Sequence, residues 1–371
     1  MSDTDEPVSK FVDQYKNYGR TDAILQEERR QRLLDKQKRC RELELDAGRP
    51  GLLEELETEQ QATDESMECQ QSQTKGSQKR VRIITSKLFA NKVQRSEWMH
   101  EPPDDLGQWL VRPCPVGQRC LLVFRQKLAI AFNKRGRSIA SIRTKRPLRD
   151  AIVLDCILAN DRTFYILDAL VLAQVDLVNC DCQFRFAWIV SKFYDNSLGE
   201  LFEEKTTNGK EGFRLSTLPS YDLAHHGGME NCWSHYPAFP DGTPKLDGYL
   251  FYHKESHYVY GKTPLVVWLF AFMLNDVLKL PAGVINERYL CDKPARYTGN
   301  YAEYIEEFDR IQAKRRRKPR AKKPQPGMMD TTSESVDDTT LWEAMEAAPL
   351  ESDDDDLHPN EEDAMRQLEM E

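Results

Sequence analysis

The sequence predicts an α+β fold dominated by antiparallel sheet, and three observations carry that expectation. Short apolar runs recur between Val81 and Ile311: RCLLVF, KLAIAF, AIVLDCIL, TFYILDALVL, CQFRFAWIV, GYLFY and PLVVWLFAFML. They are rich in Val, Ile, Phe and Tyr and are bounded by Gly, Pro, Asn and Asp, the punctuation of strands. Only the polar ANDR separates AIVLDCIL from TFYILDALVL, which makes that pair a hairpin. CQFRFAWIV is read as a further strand, with Cys180 and Cys182 on one face of it. Leu215 to Leu223 and Tyr301 to Gln312 are left as helices or loops. The folded domain expected from this is 81–312, sheet-rich and curved round a cleft.

The flanks differ in composition. Ile24 to Leu45 (ILQEERRQRLLDKQKRCRELEL) has no Gly or Pro and consists of good helix formers, so residues 1–50 are expected to carry one helix of several turns. Between Ile24 and Arg41 it holds seven basic and three acidic residues. With so few apolar positions it is expected to bury little against its own protein. It is either a solvated, charge-laced helix or one that folds onto an acidic partner. Residues 51–80, rich in Glu, Gln, Ser and Thr, read as a linker. Residues 313–326 are a basic segment, with eight basic residues between Lys314 and Lys323: Lys314, Arg315, Arg316, Arg317, Lys318, Arg320, Lys322 and Lys323. That density fits a nuclear import signal, a nucleic-acid patch, or both. Residues 327–371 are expected to be a disordered acidic tail. From Pro324 to Glu371 there are sixteen Asp and Glu against Arg366 alone, a charge of -15; subtracted from the chain's -9, this leaves residues 1–323 at +6. The net charge therefore does not argue against an RNA partner.

Other classes are set aside. No run of about 18 apolar residues is present to span a membrane, and Met1 to Lys10 lacks the apolar core of a secretory signal. The nine cysteines are scattered and odd in number, the usage of a reduced, intracellular chain.

Three constellations have the residue types for chemistry. Lys245-Leu246-Asp247-Gly248 has the K-x-D-G form of covalent nucleotidyltransferases, but four residues are a weak signal and fit a turn into the strand GYLFYHK far better. Cys180 and Cys182 with His225, His226, Cys232 and His235 are zinc-binding types, but no second pair follows at a zinc-site spacing. Trp98, Trp109, Trp188 and Trp268 with Lys134 are the types that hold a cationic base by stacking and cation–π contact. Composition does not say which of them face a ligand.

Longer stretches go further. SEWMHEPPDDLGQWLVRPCPVGQRCLLV (Ser96 to Val123), IVLDCIL, TFYILDALVL, CQFRFAWIVSK and DGYLFYHKESHYVYGKTPLVVWL (Asp247 to Leu269) resemble the snurportins across most of residues 95–270. The resemblance implies a nuclear import adaptor that binds the 2,2,7-trimethylguanosine cap of spliceosomal U snRNAs, on a domain similar in fold to the guanosine-transferring part of mRNA capping enzymes. It implies no enzyme and no cofactor. Where capping enzymes have K-x-D-G-x-R, this chain has Cys114-Pro115-Val116-Gly117-Gln118-Arg119, so the nucleophilic amine is missing. Their D-G-E reads Asp155-Cys156-Ile157, without the metal-side glutamate. A guanylyltransferase is the alternative reading.

Family cap contacts carry over to Trp268 as the stacking residue, and to Trp98 and Ser96 in the SEW stretch. They also carry over to Lys134 in AFNKRG, to Cys114 and Ile157 as walls, and to Gln118, Arg119 and Cys120 after the C-P-V-G turn. Arg95 departs from the family's apolar residue. Lys134 and Arg119 are expected to face phosphates. QEERRQRLLDKQKRCRELE resembles the family's importin-β-binding helix, through Arg29, Arg30, Arg32, Lys36, Lys38, Arg39 and Arg41. The partners implied are capped snRNP, an importin-β-family receptor and the leucine-rich-signal exportin, although no leucine-rich exportin-recognition start is visible in Met1 to Gly19. The implied location is nucleus and cytoplasm, by shuttling.

Overall fold

Apolar and β-branched residues at alternating positions set out the strands of the folded region. The computed structural model describes residues 19–47, 51–56, 84–203, 212–225, 227–239, 244–280, 283–291 and 293–317. The acidic tail, residues 318–323 of the basic run and most of the expected linker lie outside the described residues. In chain order the elements are α1 (Gly19–Ala47), β1 (Gln94–Trp98), β2 (Trp109–Pro115), β3 (Gly117–Phe132), β4 (Ser138–Ala159), β5 (Thr163–Leu172) and β6 (Val175–Asp176). There follow α2 (Cys182–Asp195), β7 (Arg214–Thr217), β8 (Tyr221–Asp222), α3 (Gly228–Trp233), β9 (Leu246–His253), β10 (Gly261–Leu269), α4 (Leu274–Leu278), α5 (Glu287–Cys291) and α6 (Tyr301–Arg317). The chain divides into two units, Met1–Ala302 and Glu303–Glu371. Within the second, Tyr304 and Phe308 stand one turn apart with ring centroids 6.3 Å from each other.

The first unit is an α+β assembly on two mainly antiparallel sheets. One has the order β1-β10-β9-β2-β8, with β1 parallel to β10 and the other pairs antiparallel. The other has the order β3-β4-β5-β6, with β7 added parallel to β5. The expected hairpin is the β4–β5 pair, turning through Asn160 to Arg162. β3 and β4 form a longer hairpin with register breaks between Phe124 and Leu128. The hairpin bends there: Ile130 and Phe132 from its outer half share one buried cluster with Leu121, Val123 and Val153 from its inner half.

Four sequence readings are changed by the structure. CQFRFAWIV is helix α2, not a strand. Cys182, Arg185, Phe186 and Ile189 are its buried residues, spaced i, i+3, i+4, i+7, and the Asp181 carboxylate caps it by accepting from Phe184 N at 2.7 Å. Leu215 to Leu223, read as helix or loop, contributes the short strands β7 and β8. PLVVWLFAFML is a strand only as far as Leu269, after which the chain turns through Ala271–Met273 into α4. The stretch read as a linker opens with a helical turn at 52–56, whose Leu52 and Leu56 are buried in the β3–β4 cluster. At about 1.5–3 kcal/mol per buried leucine, that turn is part of the core.

A fifth difference concerns α1, which does bury one face against its own protein. Gln26, Arg30, Leu34 and Gln37 recur at helical spacing and are all buried. Two of the four are glutamine and one is arginine, so a hydrophobic pattern does not announce this face. It is satisfied by hydrogen bonds instead. The Arg30 guanidinium donates to Pro264 O at 3.2 Å and to Gln26 Oε1 at 3.0 Å, and lies over the Trp109 ring. Gln37 accepts from His257 N.

Candidate functional site

The parallel pairing of β1 with β10 sets Trp98 opposite Trp268. Side chains opposite each other in a sheet project from the same face, so two tryptophans 170 positions apart in sequence become neighbours. A backbone bond from Met99 N to Trp268 O continues the pairing past the end of β1. Both indoles are half-buried. Phe270 joins them, with its ring centroid 5.6 Å from that of Trp98 and 6.0 Å from that of Trp268. The three rings form one aromatic wall. Phe270 did not emerge from the sequence reading; the signal for it is the alternation Trp268, Phe270, Phe272.

The Trp268 ring lies across Gly248. A Cβ on Gly248 would stand 2.5 Å from Cζ2 of that ring and 2.6 Å from Leu269 O, so glycine is what lets the indole settle there. Gly248 pairs in turn with Cys114, the last residue before the register shift in β2. Cys114 is buried beside the aromatic wall, and burial pushes its thiol pKa up, so at neutral pH it is a protonated, apolar surface and not a nucleophile. Lys245 stands just before β9; its carbonyl accepts from Val116 N and its side chain is exposed. K-x-D-G is thus the turn into a strand.

Pro115 to Gly117 carries the chain from the first sheet to the second. Gly117 packs so closely on β4 that a Cβ there would stand 2.6 Å from Cγ2 of Ile157. Gln118, Arg119 and Cys120 then pair with Leu158, Ile157 and Cys156. Ile157 and Cys120 are buried and Gln118 is half-buried. Arg119 is held by a carboxylate: Nε and Nη2 donate to the two oxygens of Asp155 at 2.9 and 2.7 Å. Burial lowers the guanidinium pKa, but the charge and hydrogen bonds of Asp155 outweigh it and hold it well above its ordinary value. Asp155 also accepts from Tyr258 OH at 2.7 Å, and Tyr258 OH accepts from Gln94 N at the start of β1. This chain of bonds ties the strand of Trp98 to the strand of Arg119 across the two sheets. Only the Nη1 arm of Arg119 lies outside the Asp155 pair.

Ser96 is half-buried on β1, and Arg95 beside it is exposed. Lys134 sits at the tip of the β3–β4 hairpin; its side chain is exposed and its carbonyl accepts from Asn91 N at 2.8 Å, three residues before β1. Trp109 and Trp188 have other roles. Trp109 is buried edge-on to His253, and Trp188 donates to Leu172 O and stacks on Phe184.

Glu97, between Ser96 and Trp98, faces α1. Its carboxylate accepts from both Nη atoms of Arg29 at 2.6 and 2.8 Å and from Gln26 at 3.0 Å, and Gln26 also donates to Trp98 O. Burial pushes the Glu97 pKa up, but Arg29, with Gln26 and Lys262, outweighs it and holds the carboxyl below its usual value. Of the basic residues expected to face a receptor, Arg29 and Arg30 are thus engaged with the sheet. Arg32, Lys36, Lys38 and Arg39 are exposed, and Lys38 pairs with Glu255 at 3.1 Å. The side chain of Arg41 lies outside the described residues.

Cys182 and Cys232 are buried within α2 and α3, where burial pushes both thiols up, that of Cys182 to about 12. His226 lies outside the described residues. Among the described residues no three of His, Cys, Asp and Glu converge to hold a metal.

Residues 92–271, the span that holds both tryptophans, Cys114, Arg119 and Ile157, match the family described as "Snurportin1, m3G cap-binding domain". The chain belongs to the snurportin family. The matched span takes in both sheets of the snurportin domain, from just before β1 to just after β10. Among solved structures, the fold is similar to "Pmar-Lig_PreS3", at 12% identity and a TM-score of 0.33, covering 47% of this chain and 45% of that one. It is also similar to the ligase domain of LigD from M. tuberculosis, at 12% identity and a TM-score of 0.32, covering 47% and 57%. A third is a Lig E DNA ligase, at 10% identity and a TM-score of 0.29, covering 48% and 67%. The chain spans about half the length of the first two ligase structures.

Proposed function

We propose that this snurportin is a non-enzymatic adaptor that holds the 2,2,7-trimethylguanosine cap of spliceosomal U snRNAs and links the particle to an importin-β-family receptor, shuttling between cytoplasm and nucleus. The observation that carries the cap reading is the register of Trp98 with Trp268. A trimethylated guanine is a flat cation, and a half-buried aromatic wall attracts it by stacking and by cation–π contact. Its methyl groups find apolar surface in Cys114 and Ile157, while the remaining arm of Arg119, Gln118 and Lys134 supply donors to the phosphates. Ser96 and Cys120 complete the set. The test is affinity: a trimethylated cap should bind at least tenfold tighter than a monomethylated one, and equal affinities would defeat the assignment. The alternative, a guanylyltransferase, requires a covalent GMP adduct with labelled GTP and divalent metal. The buried, protonated Cys114 at the nucleophile position supports its absence.

The transport half of the reading rests on α1. A receptor that takes Arg29, Arg30, Arg32, Lys36, Lys38, Arg39 and Arg41 together needs the helix to leave the sheet, breaking the Glu97 and Pro264 contacts. Arg29 is half-exposed, so its pair with Glu97 is worth only about 1 kcal/mol. Glu97→Gln should therefore raise receptor affinity roughly fivefold and speed proteolysis within 26–40. If neither changes, the docked helix does not compete with the receptor. The basic segment 314–323 is proposed as a second import signal, and recycling by the leucine-rich-signal exportin completes the cycle. No described helix is long and apolar enough to cross a membrane.

A further inference from the structure

The β3–β4 hairpin carries a charge pattern that a cap pocket does not use. From Arg125 to Arg149 there are nine Lys and Arg and no Asp or Glu. The chain as a whole carries -9, so this segment stands against the average. The cations gather at the bend. Gln126 pairs with Leu148 and Leu128 with Arg143, so β4 uses five residues where β3 uses two. A bulge of this kind re-aims side chains, and here it presents Lys145 and Arg146 beside Arg143 and Arg149, all four exposed. It is fixed in place. Lys145 N donates to Leu201 O, Thr144 bridges to Phe202, and Arg146 donates to the carbonyl of Asn196. A cleft of about 290 Å³ opens beside it, lined by Arg146 and Arg149 and also by Asp150. The carboxylate nearest in sequence, Asp150, accepts from Gln174 at 2.6 Å. Lys127, Arg143, Lys145 and Arg149 have no carboxylate partner among the described residues.

We propose that this bend is an electrostatic track for the RNA phosphodiester backbone that follows the cap. Clustered like charges with no acid between them repel one another, and a polyanion relieves that repulsion. The geometry favours the RNA already present. β3 carries Gln118 and Arg119 of the proposed cap site near its start and reaches Arg125 six residues after Arg119, about 20 Å along a strand. An RNA whose 5′ end is held at the start of β3 is led towards the patch along the same strand. Contacts to phosphate carry no base readout, so the gain is independent of sequence. The proposal rests on the cap reading for where the RNA starts, but not for the patch itself.

The test uses the full chain and three probes: a trimethyl-capped dinucleotide, the same cap on an RNA of about 15 nucleotides, and that RNA uncapped. The native chain should bind the long capped RNA at least tenfold tighter than the capped dinucleotide at low salt. With four phosphates engaged, binding to the uncapped RNA should weaken about 50-fold between 50 and 200 mM salt. The variant Lys127→Ser/Arg143→Ser/Lys145→Ser/Arg149→Ser should lose the length gain while keeping its melting temperature and its affinity for the capped dinucleotide. A variant that keeps the gain with an unchanged salt slope overturns the proposal. So does a gain that appears only once residues 330–371 are removed, which would give the patch to the chain's own acidic tail. If the dinucleotide fails to bind while uncapped RNA still depends on the four residues, the cap reading fails and the track stands.

Discussion

Replacing Trp268 by alanine is expected to abolish measurable cap binding while the domain stays folded. The two parts of that expectation have separate physical grounds. β10 is held by backbone pairing to β9 on one side and β1 on the other, and neither ladder uses the indole. The ring is half-buried, over Gly248 and against Phe270, so its removal costs some packing without opening the core. Binding depends on the ring directly. A stacked base contributes about 1–3 kcal/mol, and a desolvated cation–π contact adds up to about 2 kcal/mol. Together these come to about 1–5 kcal/mol, a loss centred near 100-fold, read by fluorescence quenching on titration with trimethylated cap. Trp268→Leu separates stacking from volume: it restores apolar bulk but no π face, so it should bind nearly as poorly as alanine while melting closer to the native chain. If the leucine variant binds as the native chain does, the indole is a wall and not the stacking partner. Trp98→Ala should be the milder change, since one indole and Phe270 remain.

How much of this was legible in the sequence differs from one residue to the next. The β4–β5 hairpin was, because two long apolar runs across a polar turn admit few other structures. Trp98 and Trp268 were placed in one pocket through family resemblance, but the strand register that brings them together was not: parallel pairing of β1 with β10 is a long-range choice with no local signature. CQFRFAWIV misled because aromatic and β-branched residues fit both a strand and a helix in a run of nine. The deciding features were the Asp181 cap and a buried arginine at the i+3 position. The docking face of α1 was invisible for a different reason. Periodicity arguments look for apolar stripes, and this stripe is Gln26, Arg30, Leu34 and Gln37, satisfied by hydrogen bonds to the domain. Arg119 was placed in the right strand, but its pairing with Asp155 depends on the register of β3 against β4. One residue of slip would point it to the opposite face.

Asp168→Asn is expected to be the most destabilising of the substitutions considered, and the reason lies beneath the site. Arg185 of α2 is fully buried and donates through Nε and Nη2 to the two Asp168 oxygens at 2.9 and 2.8 Å. Burial lowers the Arg185 pKa, but Asp168 outweighs it and raises it. Asp168 also faces a second buried cation, Arg112 of β2. The Arg112 guanidinium donates to the carbonyls of Ile166 and Leu167 and has no carboxylate bonded to it among the described residues. Burial lowers its pKa, with Asp168 among the charges that partly offset this. Neutralising Asp168 therefore strands two buried guanidinium groups, whereas Arg185→Met strands one carboxylate that still has Arg112 nearby. Breaking a buried pair costs about 3–5 kcal/mol, so Asp168→Asn should lower the melting temperature by roughly 6–20 °C. Arg185→Met should cost less, and the double variant Asp168→Leu/Arg185→Met should recover part of the loss. The consequence reaches the cap site by contact. Arg185 also donates to Ser256 O at 2.7 Å, two residues before Tyr258, whose hydroxyl holds the Asp155 that holds Arg119. Loosening Arg185 should thus weaken cap affinity severalfold even well below the melting temperature, while a double variant that repacks the pair without restoring the Ser256 bond should regain stability but not affinity. Recovery of both together would show that Arg185 acts on the site only through global stability.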